Sequence, residues 1–289
     1  MCRYIFPTLR AVFLISIAAF VCSCTLLVDE HAGAGDGPRV GVIEITGMIS
    51  DSREVLRHIS DFSEDKSIKA IVLRIDSGGG AVGAVQEMYR EVMKLRGKKK
   101  VAASFGNTAA SGGYYVASAA DRIFTNPGTV TGSIGAIMQV VDIGDLMDLL
   151  KIKVTSVKSG NFKESGTIFR AMTPEEQQTL QDVVTEVHRQ FISDIAKGRG
   201  RPQAEIEPWA NGMIMTGAKA IEAGLVDEIG DINDAVEWAA KAAGAQGKPV
   251  MVTGKKKGGA FFRELIRGVF EDMDEAKSSI GTSYKLRYQ

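Results

Sequence analysis

A single serine stands among small residues in the stretch "NTAASGGYYVASAAD", residues 107–121. Ser111 has two alanines before it and two glycines after it, a setting that suits a closely packed helix or a nucleophile exposed at a helix start. At a helix start the hydroxyl is accessible and the neighbouring backbone N–H groups lack helical partners. Taken alone, the composition favours the packing interpretation. A nucleophilic Ser111 also requires a proton acceptor from elsewhere in the chain.

In this chain, lysine is a better candidate than histidine for that proton acceptor. His31 lies in a linker, and His58 and His188 lie in charged helices where a solvated side chain is expected. The loop "SVKSGNFKESG" supplies two lysines, Lys158 and Lys163. A lysine base needs a pKa lowered from about 10.4 to about 7–8, which requires burial. The residue types alone leave both lysines open.

The glycine-rich segment "IDSGGGAV", residues 75–82, is the second candidate feature. It reads as a strand, a turn and a helix start, which can present N–H groups to an anion or a developing oxyanion. Taken alone, it is more typical of an ordinary turn. The sequence contains no G-x-S-x-G elbow, H-E-x-x-H metal motif or G-x-x-x-x-G-K-[ST] phosphate loop. We therefore expect neither a metal nor a cofactor.

The elements that must position these residues alternate between strand and helix. Strands are predicted at 39–49, 69–76, 98–106 and 121–126, and helices at 51–68, 81–97, 107–120 and 173–198. A capping box of Thr173 and Glu176, with Pro174 at the first helical position, begins the last of these helices, which should end near Gly198. The alternation predicts an α/β domain with largely parallel strand pairing.

The first thirty residues differ from the rest of the chain. Residues 11–28 carry no charge, and Arg3 and Arg10 precede them, which predicts an export signal or an N-terminal membrane anchor. In "VCSC", Cys24 stands where a bacterial lipoprotein would be lipidated, and an uncleaved transmembrane helix is the alternative. Both interpretations place the body on the outer face of a bacterial cell membrane, because the arginines favour a cytoplasmic N-terminus.

Composition narrows the class of protein further. The chain is 45% hydrophobic and 24% charged, which is typical of a globular protein. Lysine plus arginine and aspartate plus glutamate both number 35, so the formal net charge is zero. Nucleic-acid-binding domains normally show a basic excess, and we therefore expect no nucleic-acid partner.

Together these motifs resemble the signal peptide peptidase A family, the bacterial membrane-anchored Ser–Lys peptidases of Clp-protease/crotonase-like fold, an α/β core of repeated β-β-α units. The likeness covers about residues 38–244 and rests on "GVIEITGMI", "AIVLRIDSGGGAV", "AASGGYYVASAAD", "GTVTGSIG", "GNFKESG" and "MTGAKAIEAGLVDEIG". Its most specific sign is a serine followed by two glycines and, fifty-two residues later, a lysine. That order is similar to the family's shorter, single-domain form.

The resemblance implies a role for each of five residues. Ser111 matches the nucleophile and Lys163 the general base, while Ser133 matches the serine that orients the lysine. Gly79 matches the glycine whose N–H binds the oxyanion, and the N–H of Gly112 would be the second donor.

Two positions modify this match. Gly78 stands where the family usually has proline, which loosens the turn and leaves the N–H donors in place. Lys158 does not fit the family spacing, so it is the second choice of base.

The resemblance also implies a function and partners. We expect a membrane-associated serine endopeptidase that degrades hydrophobic peptides such as cleaved signal-peptide remnants, assembled as a ring-like homo-oligomer, with an octamer among the options. The implied segments are a signal or anchor at 1–28, a linker at 29–38, the peptidase domain at 39–244 and a tail at 245–289. Two alternatives share the fold: a crotonase-like acyl-CoA enzyme without a serine nucleophile, and a catalytically inactive membrane-tethered scaffold.

Overall fold

The computed structural model describes residues 37–254 and 287–288. The segment predicted as a signal or anchor, with Cys24, lies outside these ranges. Within them, no helix is both long enough and apolar enough to cross a membrane. The same part of the chain brings together no group of three His, Cys, Asp or Glu side chains that could hold a metal ion.

Strands and helices alternate along the described chain. The strands are β1 (Arg39–Ile49), β2 (Ile68–Ala81), β3 (Lys100–Ala110), β4 (Arg122–Thr125), β5 (Val130–Gly132), β6 (Ile214–Thr216), β7 (Glu228–Ile229), β8 (Val250–Thr253) and β9 (Arg287–Tyr288). The α-helices are α1 (Arg53–Glu64), α2 (Val82–Arg96), α3 (Gly112–Ser118), α4 (Gly144–Leu149), α5 (Pro174–Arg199), α6 (Gln203–Ile206), α7 (Gly217–Glu222) and α8 (Ile232–Ala242). A short 3₁₀ helix, Glu207–Trp209, follows α6.

One sheet joins all of these strands in the order β6-β5-β3-β2-β1-β8; β4 also pairs with β3, β7 pairs with β4, and β9 pairs with β2. The long central strands are parallel: Ile43 lies opposite Leu73, and Leu73 lies opposite Ala103. β6 runs antiparallel to β5, and β9 antiparallel to β2. The prediction of an α/β domain with largely parallel pairing is confirmed.

The central strands are buried on both faces, as continuous apolar runs in parallel sheets usually are. On one face Leu73 and Ile75 pack with helices α1, α2 and α3. On the other face Val72 packs with α8, which contributes Ala235 and Val236. The apolar run of β2 is therefore sandwiched between two helical layers, and its carboxyl end is the part that reaches the candidate site.

The predicted turn at 77–80 is wrong, because β2 continues through Ala81. Gly79 and Gly80 stay in register with Met48 and Ile49 of β1. The neighbouring strand comes so close that a Cβ on Gly80 would lie 2.7 Å from the Cα of Ile49. The glycines are thus required by strand packing at this point. A run of glycines alone does not distinguish that requirement from a turn.

The helix predicted over 107–120 is only partly correct. β3 runs on to Ala110, and α3 begins at Gly112, so the helix is seven residues long. The long helix α5 has the predicted capping box and ends one residue before Gly200, which adopts the left-handed conformation. Gly198 lies inside the helix, where a Cβ would come within 2.9 Å of the carbonyl carbon of Ser118.

Candidate active site

Ser111 lies at the junction between β3 and α3. Its backbone has φ 51° and ψ −117°, in the positive-φ region that non-glycine residues seldom occupy. Its N–H donates to the carbonyl of Gly132 at 2.8 Å, and its carbonyl accepts the N–H of Tyr115 at 2.9 Å. A serine on a strained strand-to-helix turn is the geometry of a nucleophile elbow. It occurs here without the G-x-S-x-G motif.

The hydroxyl of Ser111 is buried and has no hydrogen-bond partner. Leaving a buried polar group unpaired costs about 1–3 kcal/mol, so native structures contain few such groups. The packing interpretation explains why a small residue stands here. It explains neither the positive φ nor the unpaired oxygen, and both are features of a functional position.

Two glycine backbones lie against each other beside Ser111. A Cβ on Gly112 would lie 3.2 Å from the Cα of Gly79 and 3.2 Å from the nitrogen of Gly80. Gly79 has φ 114°, which favours glycine over any residue with a side chain. The structure therefore brings Gly79 and Gly112, the two candidate oxyanion donors, together next to the candidate nucleophile.

The N–H of Gly79 has a partner in this structure. It donates to Ser77 Oγ at 3.1 Å, and the Ser77 hydroxyl donates in turn to the carbonyl of Gly47 at 2.6 Å. Ser77 is 2% exposed, so the hydroxyl that joins the two hydrogen bonds is buried. Sequence reasoning did not single out Ser77, although it stands directly before the glycine run.

Ser133 lies at the end of β5, next to the residue that pairs with the nucleophile. Its φ of 50° is again positive, and its N–H donates to the carbonyl of Met213 at 2.7 Å. The carbonyl of Gly132, the residue before Ser133, accepts the N–H of Ser111. This hydrogen bond places Ser133 one residue from the position that pairs with the candidate nucleophile. The side chain of Ser133 is buried, with 6% of its surface exposed.

Lys163 lies apart from this cluster. It is exposed, in a run of turns over 159–166, and its N–H donates to the carbonyl of Gly160 at 3.2 Å. Because Ser111 Oγ has no hydrogen-bond partner, the amine of Lys163 is not within hydrogen-bond distance of it in the single chain. The structure therefore brings together four of the five predicted residues and leaves the lysine on an exposed segment.

Lys158, the second choice of base, is engaged in an ion pair. Its amine lies 3.1 Å from Glu164 Oε2, and Ser156 donates a short hydrogen bond to the other carboxylate oxygen. The Ser156 hydroxyl, followed by the Lys158 ammonium, holds the pKa of Glu164 below its ordinary value. The amine of Lys158 is therefore bound to a carboxylate, and it makes no hydrogen bond to Ser111 Oγ.

The last described residues add a strand beside the site. Tyr288 lies opposite Gly80 and Arg287 opposite Ala81, in antiparallel pairing with β2. Gly80 directly follows the candidate oxyanion glycine and lies beyond Ser77, the last residue of β2 that pairs with β3. An extended backbone is therefore bound along this locally free edge of β2, close to the candidate nucleophile. Extended peptides bind exposed sheet edges by the same backbone pairing.

Comparison with known proteins agrees with this geometry. Residues 93–246 match the family model described as peptidase family S49. A Synechocystis sp. protein named as a candidate protease is 40% identical to this chain over 207 residues. These residues cover 71% of this chain and 75% of that protein. A candidate signal peptide peptidase of Enterococcus faecium is 32% identical over 209 residues, covering 68% of this chain and 61% of the relative.

Coverage differs for a longer relative. Protease 4 of Salmonella typhi is 33% identical over 220 residues, which are 73% of this chain and 35% of that protein. The matched region includes α3, β5 and the turns that carry Lys163. This match and the extent of the identities show that the chain belongs to peptidase family S49, the signal peptide peptidase A family.

Proposed function

We propose that this chain is a membrane-associated serine endopeptidase that works with a Ser–Lys dyad. The observation that carries the proposal is the Ser111 hydroxyl, which is buried, unpartnered and held on a strained strand-to-helix elbow. Membership of a peptidase family agrees with a nucleophile at this position. The fold is then the Clp-protease/crotonase-like fold of repeated β-β-α units.

The proposed chemistry is acyl transfer to serine. Ser111 Oγ attacks the scissile carbonyl carbon, and the neutral amine of Lys163 takes the hydroxyl proton, while Ser133 holds that amine in place. The N–H groups of Gly79 and Gly112 donate to the carbonyl oxygen as it becomes negatively charged. The protonated lysine gives its proton to the leaving nitrogen as the C–N bond breaks. Water, deprotonated by the same lysine, then hydrolyses the acyl-serine.

Lys163 needs a surface that buries it, because a lysine base works in its neutral form. Apolar side chains in the segment that precedes it are exposed: Leu149 at 78%, Val157 at 99% and, next to Lys163 in sequence, Phe162 at 54%. Exposed apolar surface that is contiguous marks an interaction site. A second copy of the chain is the occupant that agrees with the expected ring-like homo-oligomer, and its packing would bury Lys163 beside a nucleophile.

Labelling with a fluorophosphonate separates this proposal from its alternatives. Covalent label is expected on the wild-type protein and none on Ser111→Ala. Ser118→Ala is the matched control, because Ser118 is also buried but its hydroxyl donates to the carbonyl of Tyr115 at 2.7 Å. This control should label like the wild type. A folded, assembled wild type that takes no label would favour the crotonase-like acyl-CoA enzyme or the inactive scaffold.

Hydrophobic peptides, such as cleaved signal-peptide remnants, are the proposed substrates. They would add to the edge of β2 at Gly80 and Ala81, where β9 pairs in this structure. A peptide bound along this edge would carry its scissile carbonyl past Gly79 toward Ser111. The backbone contacts give affinity without sequence preference, and apolar pockets would supply the selectivity.

Deletion of residues 287–289 tests this substrate edge. If β9 occupies the place of the peptide, its removal frees the edge and the KM for an apolar peptide should fall several-fold with kcat unchanged. An unchanged KM would contradict strand addition at this edge. Equal turnover of a charged, polar peptide and an apolar one would contradict the proposed selectivity.

We also propose attachment to a bacterial cell membrane through the first 28 residues, with the catalytic domain outside the cytoplasm. The full-length protein is expected to sediment with membranes in the absence of detergent. Palmitate labelling that disappears in Cys24→Ala would identify a lipoprotein, and membrane association without palmitate would identify a spanning helix. Recovery of the full-length protein in the soluble fraction would overturn the proposal.

A further inference from the structure

The turns that carry Lys163 are held by a charged network centred on the next residue, Glu164. One carboxylate oxygen of Glu164 accepts a hydrogen bond from Ser156. The other lies 3.1 Å from the amine of Lys158 and 3.6 Å from the guanidinium of Arg170. The residues on the other side of Lys163, at 159–162, are exposed. The polar network therefore fixes a segment that has little apolar packing on that side.

Arg170 connects this network to the start of helix α5. Its guanidinium donates two hydrogen bonds to Glu176, at 2.8 and 2.7 Å. Glu176 is 3% exposed, and its carboxylate also accepts the N–H of Thr173 at 2.9 Å as part of the helix capping box. Paired, parallel bonds between arginine and carboxylate are among the strongest and most directional in proteins. The Arg170 side chain is thus fixed to the first turn of a 26-residue helix.

The ion pair between Arg170 and Glu176 stays charged around neutral pH. The Arg170 guanidinium, together with the Thr173 N–H, lowers the pKa of Glu176 to about 2. Glu176 in turn raises the pKa of Arg170. Because both groups stay charged through neutral pH, this pair keeps its two parallel hydrogen bonds over that range.

We infer that Glu164 and Arg170 are positioning residues, which hold the turns of Lys163 at a fixed place relative to helix α5 so that its amine reaches the nucleophile in one orientation. This inference rests on the proposed function, in which Lys163 is the general base. The proposed chemistry assigns neither residue a contact with the substrate. Misplacing a catalytic group by about 1 Å can reduce the rate about 100-fold, so a loosened turn should be visible in kcat.

Kinetics of Glu164→Gln and Arg170→Lys test the inference. Glu164→Gln keeps the shape of the side chain and loses its ion pairs, and Arg170→Lys keeps the charge but cannot form two parallel bonds. In both variants kcat is expected to fall about 10- to 100-fold with KM within about two-fold, at every pH from 6 to 9. Glu175→Gln is the matched control, since Glu175 is exposed in the same first helical turn, and it should behave like the wild type.

The pH profile distinguishes positioning from a simple effect of charge. If Glu164 acted only through its charge, its removal would favour neutral Lys163 and shift the activity profile to lower pH with an unchanged plateau. That result would overturn the inference. A positioning role predicts a lower plateau of activity at high pH. Glu164→Gln should then retain more activity than Glu164→Ala.

Lys163→Ala separates this inference from the proposed function on which it rests. If Lys163→Ala is inactive while folded, assembled Glu164→Ala and Arg170→Ala keep the wild-type kcat, the positioning inference fails and the dyad stands. If Lys163→Ala is active, both fail. If Arg170→Ala does not assemble, the nearly isosteric Glu164→Gln supplies the decisive measurement. The acetylation rate of Lys163 by acetic anhydride, expected to change in Glu164→Gln and not in Glu175→Gln, gives a readout besides activity.

Discussion

At the scale of single residues, Ser111 combines two unfavourable features. A non-glycine residue at this φ costs about 1–3 kcal/mol, and a buried hydroxyl without a partner costs a similar amount. A residue selected only for close packing would be alanine, which fills nearly the same volume and carries no polar atom. The presence of serine rather than alanine is therefore explained by a function of its hydroxyl. That hydroxyl lowers the free energy of unfolding of the protein.

Replacing Ser111 by alanine should abolish turnover and make the protein more stable. The substitution removes an unpaired buried oxygen, and we expect the free energy of unfolding to rise by about 1 kcal/mol. Thermal unfolding of the assembled protein measures the change, and Ser118→Ala, which loses a satisfied hydrogen bond, should shift the Tm the other way. A Tm of Ser111→Ala clearly below that of the wild type would contradict this account of the hydroxyl.

Substitution of Lys163 tests the base. Lys163→Ala should abolish measurable turnover, because a general base contributes about 100- to 10,000-fold. Lys163→Arg should be equally inactive, since arginine does not lose its proton in a protein. Ser133→Ala should leave weak activity, because the proposed role of Ser133 is only to orient the amine.

The pH dependence of the wild type belongs to the same prediction. Activity should rise from about pH 6 to about pH 8 or above, because the lysine must be neutral to accept a proton. The measurement is kcat/KM across this range with one apolar peptide. Near-normal cleavage by a folded, oligomeric Lys163→Ala protein would contradict the assignment of Lys163 as the general base. Lys158 would then be the next residue to test.

At the scale of elements, the close approach of α3 to β2 shapes the proposed oxyanion site. A Cβ on Gly112 would lie 2.7 Å from Val85 Cγ2 as well as against Gly79, so Gly112→Ala must push the two segments apart. We expect kcat to fall about 100- to 1000-fold, the loss typical of one oxyanion donor. In the matched control Gly83→Ala, the new methyl group meets nothing within 4 Å, so activity should be unchanged. Equal activity of the two variants would contradict the proposed oxyanion site.

The ion pair at the start of α5 should make stability depend on acid pH. Arg170 lowers the pKa of Glu176 from 4.5 to about 2, so the pair stabilises the fold above about pH 4.5 and its contribution is lost as the pH falls toward 2. The Tm difference between the wild type and Glu176→Gln should therefore be constant from pH 5 to 7 and shrink below about pH 4.5. A difference that grows as the pH falls would contradict the assigned pair.

The alternation of strands and helices, and the capping box of α5, could be predicted from the sequence because both follow from local patterns. The continuation of β2 through Gly79 and Gly80 could not, since it depends on the neighbouring β1. The strain at Ser111 likewise arises from bonds to Gly132, which is distant in sequence. The exposure of Lys163 could not be predicted either, because the family resemblance implies a buried general base, whereas this chain leaves the residue exposed.

At the scale of the whole molecule, the candidate site is divided. The nucleophile and oxyanion glycines lie in the buried core of the sheet, whereas Lys163 lies on an exposed segment with apolar neighbours. Assembly of several copies would join the two parts. Activity should then depend on protein concentration, falling when the oligomer dissociates on dilution.

Mixing two inactive variants tests whether the dyad forms between copies. Ser111→Ala keeps the lysine and Lys163→Ala keeps the serine, so oligomers assembled from both would contain complete dyads only if each dyad joins two chains. Activity should then recover on mixing after dissociation and reassembly. Ser111→Ala mixed with the double variant is the control and should stay inactive. If mixed oligomers form and remain inactive, the dyad forms within one chain.

The hydrogen bond from Gly79 to Ser77 has a consequence for inhibition. In the resting protein this donor is occupied by a neutral hydroxyl, and a charged oxygen is a stronger acceptor than a hydroxyl or an amide carbonyl. If Gly79 is an oxyanion donor as proposed, the ground-state substrate would gain little from this N–H, while the tetrahedral anion would displace Ser77 and gain a full bond. Such a site discriminates between planar and tetrahedral carbon, so peptide boronates should bind far more tightly than peptides of the same sequence.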